Sequence, residues 1–411
     1  MRFAVILPLL ALFVFFRAVW PVTVSLRWRV FLAVLLAAGA LFPSVVVVVG
    51  GSMVAPVLPE AVMVIGDYLE LTEVCAAALT ALREVVSLFL RIAPGLPFNR
   101  LAKIKSLAAV IAAVAVFATA WGEWRALAAP EVVRVEIAVD GLPGALDGFS
   151  VAQVSDLHVS SLITGKRLEK AVAAVNALKP DLIALTGDFA DGTAAHLAPV
   201  MQALKDLRAP YGVWGVDGNH EHYTDYAGWR ELLPKLGVRM LWNAHGVIDV
   251  KGTPLVVAGL TDPMAARFGR ELPNLEKALF GSPDATVLLL AHQPKLAFKV
   301  AGRGVDLQLS GHTHGGQAPG IAFVPERLNA GLLKGLYNIP AAETGAGNLR
   351  LYINQGTYLW NGFPLRIGTT GEVTLITIKK SSRGLISGDR PWPKRRKTKK
   401  STSLRKSTAW P

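Results

Sequence analysis

The chain has 411 residues, of which 52% are hydrophobic, and its formal net charge is +13. This length predicts more than one domain. Its single cysteine, Cys75, excludes an intrachain disulfide and leaves the redox compartment open. The basic excess is local, because the segment from Lys379 onward holds twelve lysines and arginines against Asp389 alone. The high net charge is therefore a property of the C-terminal segment and not of the fold.

Most of the hydrophobic excess lies in residues 1–122. Three stretches are apolar enough for membrane-spanning helices, which need roughly 20 residues, and they are Phe3–Trp20, Val30–Val49 and Leu107–Trp121. A fourth stretch, residues 61–90, carries five charged residues, so it either crosses the membrane with functional or paired acids or lies on its surface. The sequence thus predicts three or four transmembrane helices in this region.

Basic residues beside the apolar stretches predict their orientation. Arg27 and Arg29 lie between the first two stretches, and four lysines and arginines precede the last one. Such residues favour the cytoplasmic side, so we expect the chain after Trp121 to lie outside the cytoplasm. Arg17 within the first stretch favours a retained anchor over a cleaved signal peptide. The expected localisation is an integral membrane protein with an extracytoplasmic domain.

Strand and helix patterns alternate after the apolar region. Strands are predicted at 132–139, 149–154, 182–185, 211–216, near Val238 and Val247, and at 255–260, 286–290, 305–309, 352–354 and 373–378. Helices are predicted at 166–178, 194–207 and 226–236. This order indicates an α/β domain with a largely parallel first sheet and a second, mixed sheet.

Polar side chains follow the C-terminal ends of five of these strands, at the edge where α/β sheets bind ligands. They are Asp156, His158, Asp188, Asn219, His292, His312 and His314. Any one of these histidines, taken alone, is equally consistent with a metal ligand and with a structural residue held by hydrogen bonds. Seven donors are too many for one cation, whereas two cations that share a carboxylate use them all. Imidazole and carboxylate donors without thiolate suit Mn, Fe or Zn, so the ordered set predicts a dinuclear metal centre.

The motif order resembles a known family. Asp-x-His, Gly-Asp, Gly-Asn-His-Glu, a lone His and Gly-His-Thr-His-Gly-Gly-Gln are similar to the calcineurin-like metallophosphoesterases, in particular a membrane-anchored branch, over about residues 130–378. The resemblance implies a four-layer fold, a two-sheet sandwich flanked by helices. It implies two divalent cations with these ligands: Asp156, His158 and His314 for one, Asn219, His292 and His312 for the other, and Asp188 as the bridge.

The resemblance also implies a reaction, the hydrolysis of phosphodiester or pyrophosphate bonds by a metal-bridging hydroxide. His220 would donate a proton to the leaving oxygen or bind the phosphate, and Glu221 would orient it. Anchoring at the bilayer favours a lipid-linked or envelope substrate, with a small soluble phosphoester as the alternative. A non-catalytic, metal-binding membrane scaffold is the rival hypothesis, disfavoured because all seven ligand types and His220 are present.

Other polar residues match none of these motifs. His196, His222 and His245 are interpreted as surface residues, and Asp191 and Asp217 as turn formers.

Two segments depart from the family pattern. Residues 354–356 and 368–372 stand where many relatives carry an arginine and a Pro-Pro-Glu turn. Tyr358, Leu359 and Trp360 follow on a loop, where they either contact a lipid or a base, face the membrane, or belong to the core.

The predicted domain boundaries divide the chain into a linker at 123–131, a globular domain at 132–379 and a disordered basic tail at 380–411. The tail is expected to contact anionic headgroups. Nucleic acid is disfavoured as a partner, because neither the predicted fold nor an aromatic pattern supports it.

Overall fold

A computed structural model describes residues 3–22, 25–92, 105–341 and 348–381. Helices dominate the N-terminal part. They are α1 (Phe3–Val14), which continues as the π-helical turn Phe15–Val19, then α2 (Leu26–Val48), α3 (Glu60–Ile92) and α4 (Lys105–Leu127). The predicted basic tail after Ser381 and two of the four basic residues before the last span, Arg100 and Lys103, lie outside the described residues.

Among the described residues, two helices are long and apolar enough to cross a membrane by length and composition, namely α2 and α4. The apolar helix at Val5–Val19 is shorter. Residues 61–90 belong to the 33-residue helix α3, which is too charged to meet the same criterion. A third or fourth span therefore stays a prediction.

Two acidic side chains of α3 are buried. Asp67 and Glu73 are 5% and 2% exposed, and Glu123 of α4 is 5% exposed. A helix lying flat on the membrane surface would turn such carboxylates toward water. The burial of these three carboxylates therefore favours α3 as a member of the helix bundle over a surface helix.

The connection between the helices and the globular domain is shorter than predicted. Helix α4 continues to Leu127, and the first strand begins at Glu131. Arg125 in the last turn of α4 donates a 2.8 Å hydrogen bond to the Glu131 carboxylate. The predicted linker at 123–131 is thus wrong at its start, because the helical pattern runs on for five more residues.

Twelve strands build the described globular domain. They are β1 (Glu131–Val139), β2 (Ser150–Val154), β3 (Leu182–Thr186), β4 (Val213–Val216), β5 (Val238–Met240), β6 (Ala244–Val250), β7 (Thr253–Gly259), β8 (Thr286–Leu290), β9 (Leu307–Ser310), β10 (Gly335–Ile339), β11 (Leu349–Ile353) and β12 (Glu372–Lys380). The helices are α5 (Gly165–Ala177), α6 (Ala194–Met201), α7 (Asn219–Tyr223), α8 (Tyr226–Lys235), α9 (Leu275–Leu279), α10 (Ala297–Val300) and α11 (Phe323–Leu328).

These strands form two six-stranded sheets within the described residues. The first has the order β1-β12-β2-β3-β4-β5 and is parallel except between β12 and β2. The second has the order β10-β11-β9-β8-β7-β6 and is mixed. One apolar cluster joins the facing sides of both sheets, and two others lie under the outer helices. The predicted two-sheet sandwich flanked by helices is confirmed.

Two local predictions were wrong. The predicted helix at 194–207 ends at Met201 and continues as the 3₁₀ turn Gln202–Asp206. Strand β10 was not predicted, because it is a short edge strand whose residues alternate only weakly between apolar and polar.

The globular domain packs directly on the N-terminal helices. Phe42 and Val46 of α2 and Met63 of α3 are buried in the same apolar cluster as the outer side of the first sheet. Further along, Leu71 of α3 packs with Leu365 and Ala318. The helices and the domain therefore share buried surface rather than being joined by a free tether.

Candidate metal centre

The sheet topology brings the predicted ligands to one edge. Strands β2, β3 and β4 are parallel neighbours in the first sheet, and β8 and β9 are parallel neighbours in the second. Their carboxyl ends deliver the seven predicted residues: Asp156 and His158 after β2, Asp188 after β3, Asn219 after β4, His292 after β8, and His312 and His314 after β9. Because the sheets face each other, the two sets of loops meet.

Among the described residues three groups of donors form there, each with ligand atoms within 4.8 Å of one another, and two of the groups consist of predicted ligands. One consists of Asp156, His158 and His314, in which Asp156 Oδ1 lies 3.9 Å from His158 Nε2 and 3.5 Å from His314 Nε2. The other consists of Asp188, His292 and His312. Both groups combine carboxylate and imidazole, which are the donors that divalent Mn, Fe and Zn accept.

Asp188 connects the two groups. Its Oδ2 atom lies 3.0 Å from Nε2 of His292 and 3.7 Å from Nε2 of His158. Its other oxygen, Oδ1, accepts a 2.8 Å hydrogen bond from the backbone N–H of His220. Asn219 also joins the second group, since its Oδ1 is 3.2 Å from His292 Nε2. One carboxylate oxygen thus stands between the two sets of imidazoles.

The backbone at these ligands is unusual. Asp156, His158, Asp188, His312 and His314 all have positive φ, between 44° and 72°. This left-handed region is uncommon for residues with a Cβ, and such strain concentrates at functional sites. The sharp turns reverse the chain directly after each strand, so that the side chains of the Asp-x-His and His-x-His motifs all point toward the centre.

Close approach explains two glycines of the motifs. A Cβ on Gly311 would collide with Ser155 and with the carboxylate of Asp156. Gly187 has a φ of +88°, and a Cβ there would press on the ring of His292. These glycines let the two sheets bring their ligand loops together.

Buried ring nitrogens test whether the donors fit cations. Nε2 of His158 and Nδ1 of His312 are buried without a hydrogen-bond partner in the described part of the chain. Unpaired buried polar atoms are costly, and native proteins seldom leave them unsatisfied. Divalent cations would satisfy these nitrogens, so the residues present fit a metal centre.

Backbone and carboxylate partners fix the ring orientations. His292 donates from Nδ1 to the carbonyl oxygen of Thr186 over 2.7 Å, which leaves Nε2 directed at Asp188. His158 donates from Nδ1 to Asp191 over 2.9 Å. Such partners behind a ligand set its tautomer and strengthen it as a donor.

Asp191 is the main residue that sequence reasoning misplaced. Predicted as a turn former, it is 2% exposed, and its Oδ1 accepts from His158 and also from His220, over 2.6 Å. Its Oδ2 accepts from the backbone N–H of Asn361 over 3.2 Å. Its position three residues after the Gly-Asp motif was the available signal, but nothing in the sequence distinguishes such an aspartate from a loop residue.

Glu221 does not orient His220, contrary to the prediction. Its carboxylate accepts backbone N–H bonds from Gly218, Asp188 and Phe189, at 2.7, 3.1 and 2.7 Å. Glu221 therefore holds the loops after β3 and β4 together, and Asp191 is the residue that holds the His220 ring.

Electrostatic interactions favour the charged forms of both His220 and Asp191. Burial alone would lower the pKa of His220, but the charges of Asp188 and Asp191 and the hydrogen bond to Asp191 raise it to about 9. Burial would raise the pKa of Asp191, but the His158 and His220 rings lower it to about 2. An imidazolium at position 220 thus faces the centre across a wide pH range when no cation is bound.

The other residues that match no family motif differ in their burial. His222 is 2% exposed and hydrogen bonds to Asp217 over 2.7 Å, so the surface and turn assignments of these two residues were wrong. His245 is half-buried and contacts the Ala278 carbonyl, whereas His196 is exposed as predicted. The buried pair braces the loop after β4 through Thr261, which donates to the Asp217 carboxylate.

The loop after β11 lies at the mouth of the centre. Tyr358 and Leu359 are buried core residues, and the Trp360 ring lies 6.1 Å from the His220 ring. Arg366 is fully buried and donates to the carbonyls of Gln355, Gly356 and Tyr358. An arginine thus supports this loop from a position ten residues later than expected, and it reaches backbone oxygens rather than the substrate space.

This two-sheet fold with a convergent Asp and His centre defines the class of metal-dependent phosphoesterases, which are hydrolases. A family model described as calcineurin-like phosphoesterase matches residues 149–316. The chain is 32% identical to the "Uncharacterized metallophosphoesterase YkuE" of Bacillus subtilis over 247 residues, which cover 59% of this chain and 82% of that protein. The chain therefore belongs to the calcineurin-like phosphoesterase family.

Two further relatives have names that describe them as transmembrane proteins. The "Transmembrane protein with metallophosphoesterase domain" of Danio rerio is 32% identical over 284 residues, covering 67% of this chain and 62% of that protein. The protein of the same name from Bos taurus is 34% identical over 262 residues, covering 61% of this chain and 57% of that protein. The chain thus spans about three fifths of the length of these relatives.

A solved structure, Haemophilus influenzae NAD nucleotidase, resembles the chain with a TM-score of 0.37 and 13% identity, covering 51% of this chain and 45% of that one. A likeness at this level carries no argument about substrate.

Proposed function

We propose that this chain is a membrane-anchored phosphoesterase that uses two divalent cations to hydrolyse phosphodiester or pyrophosphate bonds. The observation that carries the proposal is the position of Asp188 Oδ2, which lies 3.0 Å from His292 and 3.7 Å from His158. Two donor groups joined by one carboxylate suit a pair of cations about 3.5–4 Å apart. Such cations, when bound, lower the pKa of water to supply a nucleophile and offset charge on phosphoryl oxygens.

Ligand roles follow from the two donor groups. We assign Asp156, His158 and His314 to one cation, Asn219, His292 and His312 to the other, and Asp188 to both. Mn, Fe or Zn fits this donor set, because each accepts mixed oxygen and imidazole nitrogen donors.

His220 supplies the proton. Its ring faces the centre beside His158, with the ring centroids 4.6 Å apart, and Asp191 accepts from its Nδ1. Nε2 is then the atom directed toward the substrate, where it donates a proton to the leaving oxygen or a hydrogen bond to the phosphoryl group. The charge of Asp191 keeps the imidazolium stable until that transfer.

A lipid-linked or envelope phosphoester is the proposed substrate class. The support is the shared buried surface between the globular domain and helices α2 and α3, which holds the centre beside the apolar helices. The basic residues that precede the apolar part of α4, among them Arg91 and Lys105, favour an orientation with the domain outside the cytoplasm. The basic segment after residue 380 then contacts anionic headgroups near the same surface.

Hydrolysis of bis-p-nitrophenyl phosphate tests the reaction. Purified full-length protein is stripped with chelator and reloaded with Mn, and turnover is compared for the wild type, Asn219→Ala and the control His196→Ala, whose side chain is exposed. We expect Mn-dependent turnover in the wild type and control and its loss in Asn219→Ala. Stoichiometric Mn binding without turnover on a panel of phosphomonoesters, diesters and pyrophosphates would instead establish the metal-binding scaffold.

A further inference from the structure

The globular domain exposes a small apolar surface beside the candidate metal centre. It consists of Ile321, Phe323, Val324 and Leu328, which are 36%, 63%, 45% and 71% exposed, and we name it the 321–328 surface. The last three belong to α11. At about 100° per residue their side chains share one side of that helix with Arg327. Single exposed apolar residues are ordinary, but a contiguous group of this kind marks an interaction site.

This surface begins where the metal-ligand loop ends. Ala318 directly follows the Gly-His-Thr-His-Gly-Gly-Gln motif, and Ala322 packs so closely on Gly316 that a Cβ there would collide with it. Ala318 also packs with Leu71 of α3. Ile321 is three positions after Ala318, so their Cα atoms are at most about 11 Å apart. The 321–328 surface thus lies next to both the metal centre and the helix bundle.

Helix α4, next to this surface, also exposes large apolar side chains. The Gly122 carbonyl of α4 accepts from the Arg366 backbone, at the contact that carries Leu365 and Ala318. Beside it Trp121 and Trp124 are 49% and 57% exposed, with ring centroids 5.1 Å apart. Tryptophans of this kind typically lie at the membrane–water boundary. The boundary therefore falls near the place where the ligand loop meets the helices.

We propose that the 321–328 surface inserts into the bilayer that holds α2 and α4. The partner of this surface is the lipid itself. The apolar side chains reach the boundary between headgroups and acyl chains, where amphipathic helices place their apolar side. Arg327 extends from the same side of α11 toward lipid phosphates. The inference rests on the proposed membrane anchoring and adds to it a fixed contact between the catalytic domain and lipid, which brings the metal-centre edge to the headgroup layer.

Fluorescence quenching by spin-labelled lipid tests this contact in the full chain. Cys75→Ser removes the single cysteine, and Phe323→Cys then carries an environment-sensitive dye. The protein is placed in nanodiscs of phosphatidylcholine and phosphatidylglycerol with or without lipid labelled at acyl position 5. Phe117→Cys on α4, where Phe117 is 70% exposed, is the lipid-facing reference.

Phe280→Cys is the matched control. Phe280 is 86% exposed and lies against β6, at the opposite edge of the second sheet from β10, which follows α11. Five interstrand spacings put these edges about 24 Å apart. We expect quenching at positions 323 and 117 of similar size, and none at 280.

An unquenched dye at position 323 beside a quenched dye at 117 would overturn the proposal. The measurement needs no turnover, so a failure of the phosphoesterase assignment would leave its result unchanged.

Discussion

The Oδ1 atom of Asp191 lies 2.6 Å from Nδ1 of His220 and 2.9 Å from Nδ1 of His158. One buried acid therefore holds both a candidate metal ligand and the candidate proton donor. This shared contact couples metal binding to the protonation of His220, because any change at Asp191 alters both rings.

Asp191→Asn should separate a positioning role from a purely structural one. Asparagine keeps the shape but removes the charge, and its NH₂ group faces either the two ring nitrogens that contact Oδ1 or the backbone N–H of Asn361 that donates to Oδ2. Because partners behind a metal ligand typically contribute 10- to 100-fold in affinity, we expect Mn affinity to fall by about that factor. The alkaline limb of the pH–rate profile should also move to lower pH, since the charge of Asp191 raises the pKa of His220. Asp206→Asn is the control, with a side chain 74% exposed.

The stability of the metal-free protein should fall as the pH rises above neutrality. The pKa of His220 is about 9 in the folded chain, against 6.5 ordinarily. A raised pKa means that the folded state binds the proton more tightly, so this stabilisation is complete below about pH 6.5 and is lost as the pH rises through 9. Its size is on the order of 3 kcal/mol at most.

Thermal unfolding in chelator, recorded from pH 6 to 10 for the wild type and His220→Gln, measures this contribution. The wild type should lose its advantage over the variant between pH 6.5 and 9. A constant difference across that range would show that His220 is not held as an imidazolium.

Sequence order alone was enough to anticipate which loops meet. Strands followed by Asp, Asn or His in an α/β pattern have their carboxyl ends at one edge, so Asp188 and His292 were expected to converge. Asp188 follows β3 of the first sheet and His292 follows β8 of the second, so their separation of 3.0 Å also requires the two sheets to face each other. Alternating apolar residues likewise predicted most of the strands.

Residues that act behind the ligands were not predictable in the same way. Asp191 and Asp217 look like ordinary loop aspartates, and only the folded chain reveals which buried ring each one faces. The sequence separation between Asp191 and Asn361 is 170 residues, and no local pattern encodes such a contact. Glu221 was misassigned for the opposite reason, since adjacency to His220 suggested a contact that the helical turn at 219–223 directs elsewhere.

Asp188→Asn should remove the link between the two donor groups. An amide cannot supply the negative charge that two cations share, so we expect at least one Mn to be lost after reloading and desalting. A bound cation stabilises the transition state by several kcal/mol, so its loss predicts that bis-p-nitrophenyl phosphate turnover falls at least about 100-fold. Metal analysis by mass spectrometry and the same assay measure both effects. Asp284→Asn, at an exposed position, should change neither. Full Mn content with normal turnover in Asp188→Asn would contradict the bridging role.

Gly122→Leu should disturb the ligand loop from the helix bundle. A Cβ at Gly122 would collide with the Leu365 side chain, and the Gly122 carbonyl accepts the backbone N–H of Arg366. The next residue, Ile367, donates its N–H to the carbonyl of Gln317 at the end of the metal-ligand motif. Overpacking of this kind typically costs about 1–3 kcal/mol, and here it displaces the segment that supports Gln317.

Turnover and thermal unfolding of Gly122→Leu should therefore both decline, with Mn affinity reduced as well. Ala120→Leu adds a side chain of similar volume, one carbon less than Gly122→Leu, two residues earlier on α4 at an exposed position, and should behave like the wild type. Equal effects from the two variants would mean that leucine harms α4 in general. An effect confined to Gly122→Leu would instead show that the metal centre depends on its packing against the helices, because Gly122 lies on the side of α4 that contacts Leu365.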